Sequence, residues 1–254
     1  MKIIEEVSYF NGNGYCKLDM YLPDKTGFKT IVFFHGGGLV GGDKKGPREI
    51  LFGEEFTSAG YGFVSVNYRM YPNVKFPTFL NDASKAVAFI HNNIKNYGGN
   101  GEIIVAGQSA GAWITLMLCL NEKYLLNQGV NPKNIFAWFS DSAQVTSHFN
   151  VLNKEKGLHQ LTQRIDKSSP LFYVNENTSF SKMFLILYDN DMPCRYEQNK
   201  LFIENILCFN KDAKIEHILL SGTHCSSAKM LDENGKTMFS SLLIKWLNGE
   251  SITK

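Results

Sequence analysis

The sequence predicts an α/β fold: a mostly parallel, eight-stranded sheet with an antiparallel leading hairpin and helices on both faces. Three observations predict it. Short β-branched and aromatic runs recur along the chain, stretches of helical spacing separate the later ones, and no repeat, low-complexity tract or Pro/Gly/Ser-rich linker interrupts the alternation.

The elements follow in chain order. Residues 3–9 and 17–22 are two extended runs joined by a short loop at 10–15, whose Asn11-Gly12-Asn13-Gly14 tract suits a hairpin. Further strand patterns lie at 30–34, 62–67, 103–106, 135–139, 183–188 and 214–220, and helical patterns at 48–59, 79–95, 110–120, 198–208 and 237–247. Strands that alternate with helices are joined by crossovers, hence parallel, and the helices cover both sheet faces. A chain of 254 residues can bury one sizeable core, so residues 1–254 read as one domain. Segment 140–178 breaks the rhythm, being rich in Ser, Asn, Gln and Lys with a weak helical pattern. Ligands of α/β sheets sit beyond the carboxyl ends of the strands, so this segment is either a short cap insertion over a site or a plain surface excursion.

Composition narrows the function classes. The chain carries 26 Lys+Arg against 24 Asp+Glu, a formal charge of +2, too weak a field to argue for nucleic acid or an anionic membrane surface. Glu5 and Glu6 stand where a secretory signal would need its apolar stretch, and the longest nearly apolar run, 112–120, is too short to span a bilayer. The five cysteines are odd in number and lack CxxC spacing, which suits reduced thiols. The expectation is a cytoplasmic monomer or homodimer with no nucleic-acid or membrane partner.

The chemistry concentrates at two glycine-rich strand ends. Ile103-Ile-Val-Ala-Gly107-Gln-Ser109-Ala-Gly111 runs from a strand through G-x-S-x-G directly into an apolar helix. So tight a turn holds its serine at a strained backbone angle and needs small neighbours, which Gly107, Ala110 and Gly111 are. It exposes the Ser109 hydroxyl and sets the Ala110 N–H at a helix N-terminus, facing a developing oxyanion. Thr30-Ile-Val-Phe-Phe-His35-Gly36-Gly37-Gly38 is the second strand end, and its glycines let backbone N–H groups turn toward the same oxygen. Gly36, Gly38 and Gly41 also satisfy G-x-G-x-x-G. The polar loop that follows, where a dinucleotide fold would start an apolar helix, argues against that reading, and Asp43 where a Walker loop needs lysine rules that motif out.

A serine hydroxyl needs a base, and the base a carboxylate that holds its tautomer. On this turn the chain order is Ser, then acid, then His. Of the six histidines, His224 stands in a loop between the last strand and the last helix; His217 lies within that strand, His35 precedes Ser109 and orients its glycine loop, His91 lies on a helix, and His148 and His159 belong to the irregular segment. For the acid, Asp189 and Asp191 share one strand-end loop, with Asp141 as runner-up on another.

These residues resemble the α/β-hydrolase fold, and within it the HGGG-motif esterases of the hormone-sensitive-lipase and bacterial carbohydrate- or feruloyl-esterase kind, related to arylformamidases. The match runs through Lys17-Leu-Asp-Met-Tyr-Leu-Pro23, His35 to Asp43, Val66-Asn-Tyr-Arg-Met70, Phe76-Pro77 with Asp82, Gly107 to Gly111, Ser169-Pro170 and Asp191-Met-Pro-Cys-Arg-Tyr-Glu-Gln198. Counting back from Tyr196-Glu-Gln198, the resemblance assigns the acid to Asp191, and it implies that Arg69 and Asp82 belong to a structural ion-pair network near the loop. The sequence departs from the pattern at Gly222-Thr-His224, one residue short, at Cys225 in place of glycine, and at Leu39 in place of an aromatic.

The implied activity is a serine hydrolase that cleaves small or aryl carboxylic esters, including acetylated-sugar and feruloyl esters, through an acyl-enzyme. Ser109, Asp191 and His224 would be its catalytic residues and the N–H groups of Gly37, Gly38 and Ala110 its oxyanion hole. Leu39, Val40, Trp113, Met192 and Cys225, with Phe76 and Trp138, are candidates for the pocket wall, and no metal or organic cofactor is required. An arylformamidase acting on N-formylkynurenine is the nearest alternative, and a non-catalytic small-ligand receptor is the alternative of another class.

Overall fold

The computed structural model describes residues 1–11 and 14–252. Eight strands form one sheet in the order β1-β2-β4-β3-β5-β6-β7-β8. These are β1 (Lys2–Ser8), β2 (Lys17–Leu22), β3 (Phe28–Phe34), β4 (Gly62–Val66), β5 (Gly99–Gln108), β6 (Ala137–Asp141), β7 (Met183–Asn190) and β8 (Ile215–Thr223). β1 pairs with β2, and β2 with β4, antiparallel; every later pair is parallel. The expected leading hairpin is thus present as a strand pair, although Gly12 and Asn13 of its turn tract lie outside the described residues.

Among the described residues seven α-helices accompany the sheet: α1 (Pro47–Ser58), α2 (Thr78–Asn93), α3 (Ala110–Leu120), α4 (Lys123–Leu126), α5 (Phe149–Lys156), α6 (Arg195–Phe209) and α7 (Met238–Leu247). The central strands alternate between two buried faces. On one, Val32, Phe34, Val105 and Leu185 pack with Leu80, Val87, Ile114 and Phe202 of α2, α3 and α6. On the other, Ile31, Phe33, Ile104 and Phe139 pack with Phe52 and Phe56 of α1 and Phe239 and Trp246 of α7. Successive strand side chains point to opposite faces, so a run without polar interruptions needs a helical layer on each side. Phe33 meets Phe52 and Phe239 edge-on at 5.5 and 5.6 Å, and such aromatic pairs add about 0.5–1.5 kcal/mol each beyond their buried area.

The irregular segment is better ordered than its composition suggests. Residues 141–148 are buried, α5 begins behind His148, and a 3-10 turn spans Pro170–Tyr173. Asp166 gathers its own stretch, accepting hydrogen bonds from the hydroxyls of Ser147 and Ser168 and pairing with Lys156. Two stretches of it face solvent, residues 153–167 and 172–178.

The leading hairpin also anchors the loop after β3. Asp19, fully buried on β2, pairs with Lys44 at 2.7 Å and accepts the Glu6 N–H at 2.7 Å; Lys44 also contacts Glu6. The Lys44 N–H donates to Asn67 and the Asn67 amide to Asp43. Removing one member of a buried pair leaves the other uncompensated. Asp19→Ala is therefore expected to lower unfolding free energy by about 3–5 kcal/mol, measured by urea denaturation.

Candidate active site

Ser109 occupies the turn between β5 and α3 at φ 53°, ψ −114°, a left-handed backbone angle that a residue with a Cβ adopts only when its surroundings hold it there. The surroundings do so. A Cβ on Gly107 would lie 2.4 Å from the Gly111 carbonyl carbon, and one on Gly111 1.9 Å from the Phe34 oxygen. The Ser109 N–H donates to the Asp141 carbonyl at 2.9 Å and its carbonyl accepts the Trp113 N–H at 3.0 Å. Strand, turn and helix are thus locked against both neighbouring strands.

The Ser109 hydroxyl meets His224 Nε2 at 2.8 Å, and His224 Nδ1 meets Asp191 Oδ1 at 2.6 Å. Register explains the second contact. Asn190 of β7 stands beside Thr223 of β8, so the residue after each strand end, Asp191 and His224, emerges side by side. Asp191 Oδ1 also accepts the Met192 N–H at 2.6 Å, and its side chain is 2% exposed against 26% for His224. Asp189 points elsewhere: it is exposed, and it accepts the Gly222 N–H at 2.9 Å, which holds its carboxyl below the usual range.

The glycine loop is set by its carbonyls. His35 Nδ1 approaches the Gly36 oxygen at 2.7 Å, and the Gly37 oxygen accepts the N–H groups of Val40 and Gly41 at 3.1 Å. In a trans peptide the N–H points opposite to the preceding carbonyl, so these bonds fix the directions of the Gly37 and Gly38 N–H groups. Asn150 of α5 donates to the Gly38 oxygen at 2.6 Å. A Cβ on Gly36 would stand 3.3 Å from that of Ser109, which puts this loop against the serine turn. His35 itself is buried and stacked on Tyr68, whose hydroxyl donates to the His35 carbonyl, and burial lowers the pKa of the imidazole.

Other expected residues fall differently. Leu39, at φ 63°, turns into the core with no exposed surface, and Trp113 and Trp138 are equally buried, so these three are core side chains rather than pocket walls. The Trp113 indole N–H donates to the Ser168 carbonyl. Cys225, next to His224, is buried; its N–H donates to the Ser142 hydroxyl and burial pushes its thiol pKa well up, so it does not face a pocket either. Met192 is exposed. Val40 lines a cavity of about 530 Å³ with Tyr15, Arg69, Met70 and Val74, and Phe76 lines another of about 500 Å³ with Val151, Ile165 and Phe172. Arg69 and Asp82 form a bidentate pair at 2.8 and 2.7 Å. His91, His159 and His217 are exposed. Among the described residues no group of three or more His, Cys, Asp or Glu is placed to hold a metal ion, and no helix is long and apolar enough to cross a membrane.

Sequence reasoning missed the polar layer beneath the serine. Asp141 is fully buried and accepts hydrogen bonds from Gln108 Nε2 at 2.6 Å, Ser227 Oγ at 2.7 Å and Ser142 Oγ at 3.2 Å. Arg48 of α1 donates to Gln108 at 3.1 Å, and the buried Arg195 donates to the Ser142 carbonyl at 2.9 Å. The signal is faint: in the sequence Asp141 stands out only as the runner-up for the catalytic acid.

Sheet order, glycine-flanked serine turn and strand-end loops define an α/β-hydrolase fold. The model of the BD-FAE family matches residues 18–206, and the chain belongs to that family. A probable isoprenylcysteine alpha-carbonyl methylesterase of Oryza sativa subsp. japonica is 37% identical over 187 residues, 67% of this chain and 44% of that protein. The chain spans about half the length of the curated relatives it matches. Among solved structures, esterase B from Lactobacillus rhamnosis superposes with a TM-score of 0.78 over 98% of this chain and 86% of that one at 15% identity. A truncated carbohydrate esterase from gut microbiota gives 0.74 over 98% and 94%, at 18% identity. At these identities the likeness is one of fold.

His148 gives the site's surroundings a pH dependence. It is buried against Trp113 and Phe149, its Nδ1 accepts the Asn150 N–H at the start of α5, and burial, with the charge of Arg195, pushes its pKa from the ordinary 6.5 down to about 3. Between those values the unfolded chain binds a proton that the folded one does not, so stability rises with pH and is lost as pH falls below 6.5. His148→Asn keeps a capping acceptor and is expected to flatten the urea-unfolding slope between pH 6 and pH 4 by up to about 1.4 kcal/mol per pH unit.

Proposed function

We propose that the chain is a serine hydrolase that cleaves small or aryl carboxylic esters through an acyl-enzyme. The hydrogen-bonded chain Ser109–His224–Asp191, at 2.8 and 2.6 Å, carries the reading. Ser109 Oγ attacks the ester carbonyl while His224 Nε2 takes its proton. Asp191, at Nδ1, holds the tautomer that leaves Nε2 free to accept and stabilises the imidazolium that results. The carbonyl oxygen becomes an oxyanion, held by the N–H groups of Gly37, Gly38 and Ala110; one such donor is worth about 2.7–4 kcal/mol in the transition state. The imidazolium then protonates the departing alkoxide, leaving an acyl group on Ser109. Water follows, deprotonated by His224, and the second collapse returns the serine.

Names among the relatives and structural neighbours, a methylesterase, an esterase B and a carbohydrate esterase, support an ester as substrate. The domain is read as one catalytic unit, with α5 and the chain after it as its cap, since Asn150 already touches the glycine loop. Five cysteines without disulfide partners support a reducing, cytoplasmic setting.

Intact mass after fluorophosphonate treatment, followed by hydrolysis of p-nitrophenyl acetate through butyrate, tests the reading. One adduct is expected on the wild type and none on Ser109→Ala. His224→Ala and Asp191→Asn are expected to lower kcat/KM by about 10³–10⁴-fold, while Asp189→Asn stays near wild type. A folded wild type that takes no adduct would favour the small-ligand receptor. Cleavage of N-formylkynurenine in preference to the acetyl, feruloyl and acetyl-sugar esters would favour the arylformamidase.

A further inference from the structure

Asp141, the last residue of β6, and Ser142 after it are bonded to both sides of the Ser109–His224 contact. On the serine side, the Asp141 carbonyl accepts the Ser109 N–H, and the Asp141 carboxylate accepts the side-chain amide of Gln108, the residue before Ser109. On the histidine side, Asp141 Oδ2 accepts the hydroxyl of Ser227, three residues beyond His224, while the Ser142 hydroxyl donates to Asp141 Oδ1 and accepts the N–H of Cys225, the residue after His224. The Tyr188 hydroxyl accepts the Ser227 N–H at 2.8 Å and interacts with Asp141 as well. Ser142 sits at φ 58°, and its carbonyl is held by Arg195, so the turn that makes these bonds is itself clamped.

We infer that Asp141 is a positioning residue, which sets the Ser109–His224 distance by tying the serine turn and the histidine loop to one buried carboxylate. The inference rests on the ester-hydrolase reading and concerns the same site. Its physical basis is the donor pattern. Gln108 Nε2 and Ser227 Oγ both donate to Oδ2, and Gln108 cannot reverse its amide because its oxygen already accepts from Arg48. An amide at position 141 that keeps its oxygen on these two donors turns its N–H groups to the Oδ1 side, against the hydroxyl that Ser142 donates there, and the Cys225 end of the histidine loop would shift by the tenths of an ångström that proton transfer does not tolerate.

The test uses three variants, followed first by kinetics together with Tm and then by proton NMR. Asp141→Asn is expected to lower kcat for p-nitrophenyl acetate by about 10–100-fold, with KM changed by less than about threefold. Ser227→Ala, which cuts one of the two histidine-side ties, lowers kcat less and leaves Tm close to wild type. The double variant Gln108→Glu, Asp141→Asn inverts donor and acceptor, with the new carboxylate facing Arg48, and is expected to recover most of the lost kcat. The second readout is the His224 Nδ1 proton in ¹⁵N-histidine-labelled protein, assigned with His224→Gln: sharp and low-field in the wild type, broadened or lost in Asp141→Asn, and returned in the double variant.

A folded Asp141→Asn with wild-type kcat and an unchanged His224 proton overturns the inference. So does a loss of kcat and Tm together that the double variant does not restore, because that marks a carboxylate that matters only for folding. A wild type that cleaves no ester, yet whose His224 proton depends on Asp141 as described, removes the ester reading and leaves the positioning role standing.

Discussion

At the serine turn the backbones of three elements come close together. Gly111 at the start of α3 packs so tightly on the end of β3 that no Cβ fits between them, and Gly107 at the end of β5 meets Gly111 with as little room. That contact forces the chain to turn from strand to helix in one residue, and Ser109 is the residue left at the strained angle. The glycine loop rests on the same point, because Gly36 abuts Ser109 and β3 delivers it there. If α3 stood further off, the turn could relax and the hydroxyl would lose its fixed direction.

The remaining parts are brought in by register rather than by local chain. Parallel pairing of β7 and β8 places Asp191 and His224 together, and pairing of β5 with β6 places Asp141 beneath Gln108. The loop after β3 depends on residues far from it in sequence: Asp19 and Asn67 hold its far end through Lys44 and Asp43, and Asn150 holds its near end. Contacts of such long sequence separation form late and together, so the site is a property of the completed sheet.

Much of the architecture is legible in the amino-acid pattern. Strand and helix runs are marked by periodicity and by glycines, and α3 starts and stops at the residues its sequence marks. Ser109 and His224, singled out from a turn motif and a loop position, meet in space. Asp191 is another matter. Two carboxylates share its loop, and which one reaches His224 depends on a shift in the β7–β8 register after Tyr188 that no local pattern encodes; family resemblance separated them. Leu39 was misjudged because an apolar loop residue carries no sign of which way its backbone turns, and φ 63° turns it inward. Trp113, another pocket candidate, lies in the core, where large apolar side chains one turn into a buried helix are most often found. The polar layer around Asp141 escaped notice because Asp, Ser and Gln at strand ends look like turn residues until their partners, drawn from four separate elements, are known.

The bulge in β1 reaches beyond the loop it serves. Where β1 pairs with β2 the register slips between Ile4 and Val7, with Glu6 at φ 60° and its carboxylate engaged by Lys17 and Lys44. β1 is the outermost strand on its side of the sheet, and an outermost strand offers unpaired N–H and C=O groups to any extended chain that can lie beside it. A kinked strand with an ion-paired side chain at the kink presents no straight ladder for that purpose. The same distortion that seats the lysine therefore guards this margin of the sheet against strand-to-strand polymerisation.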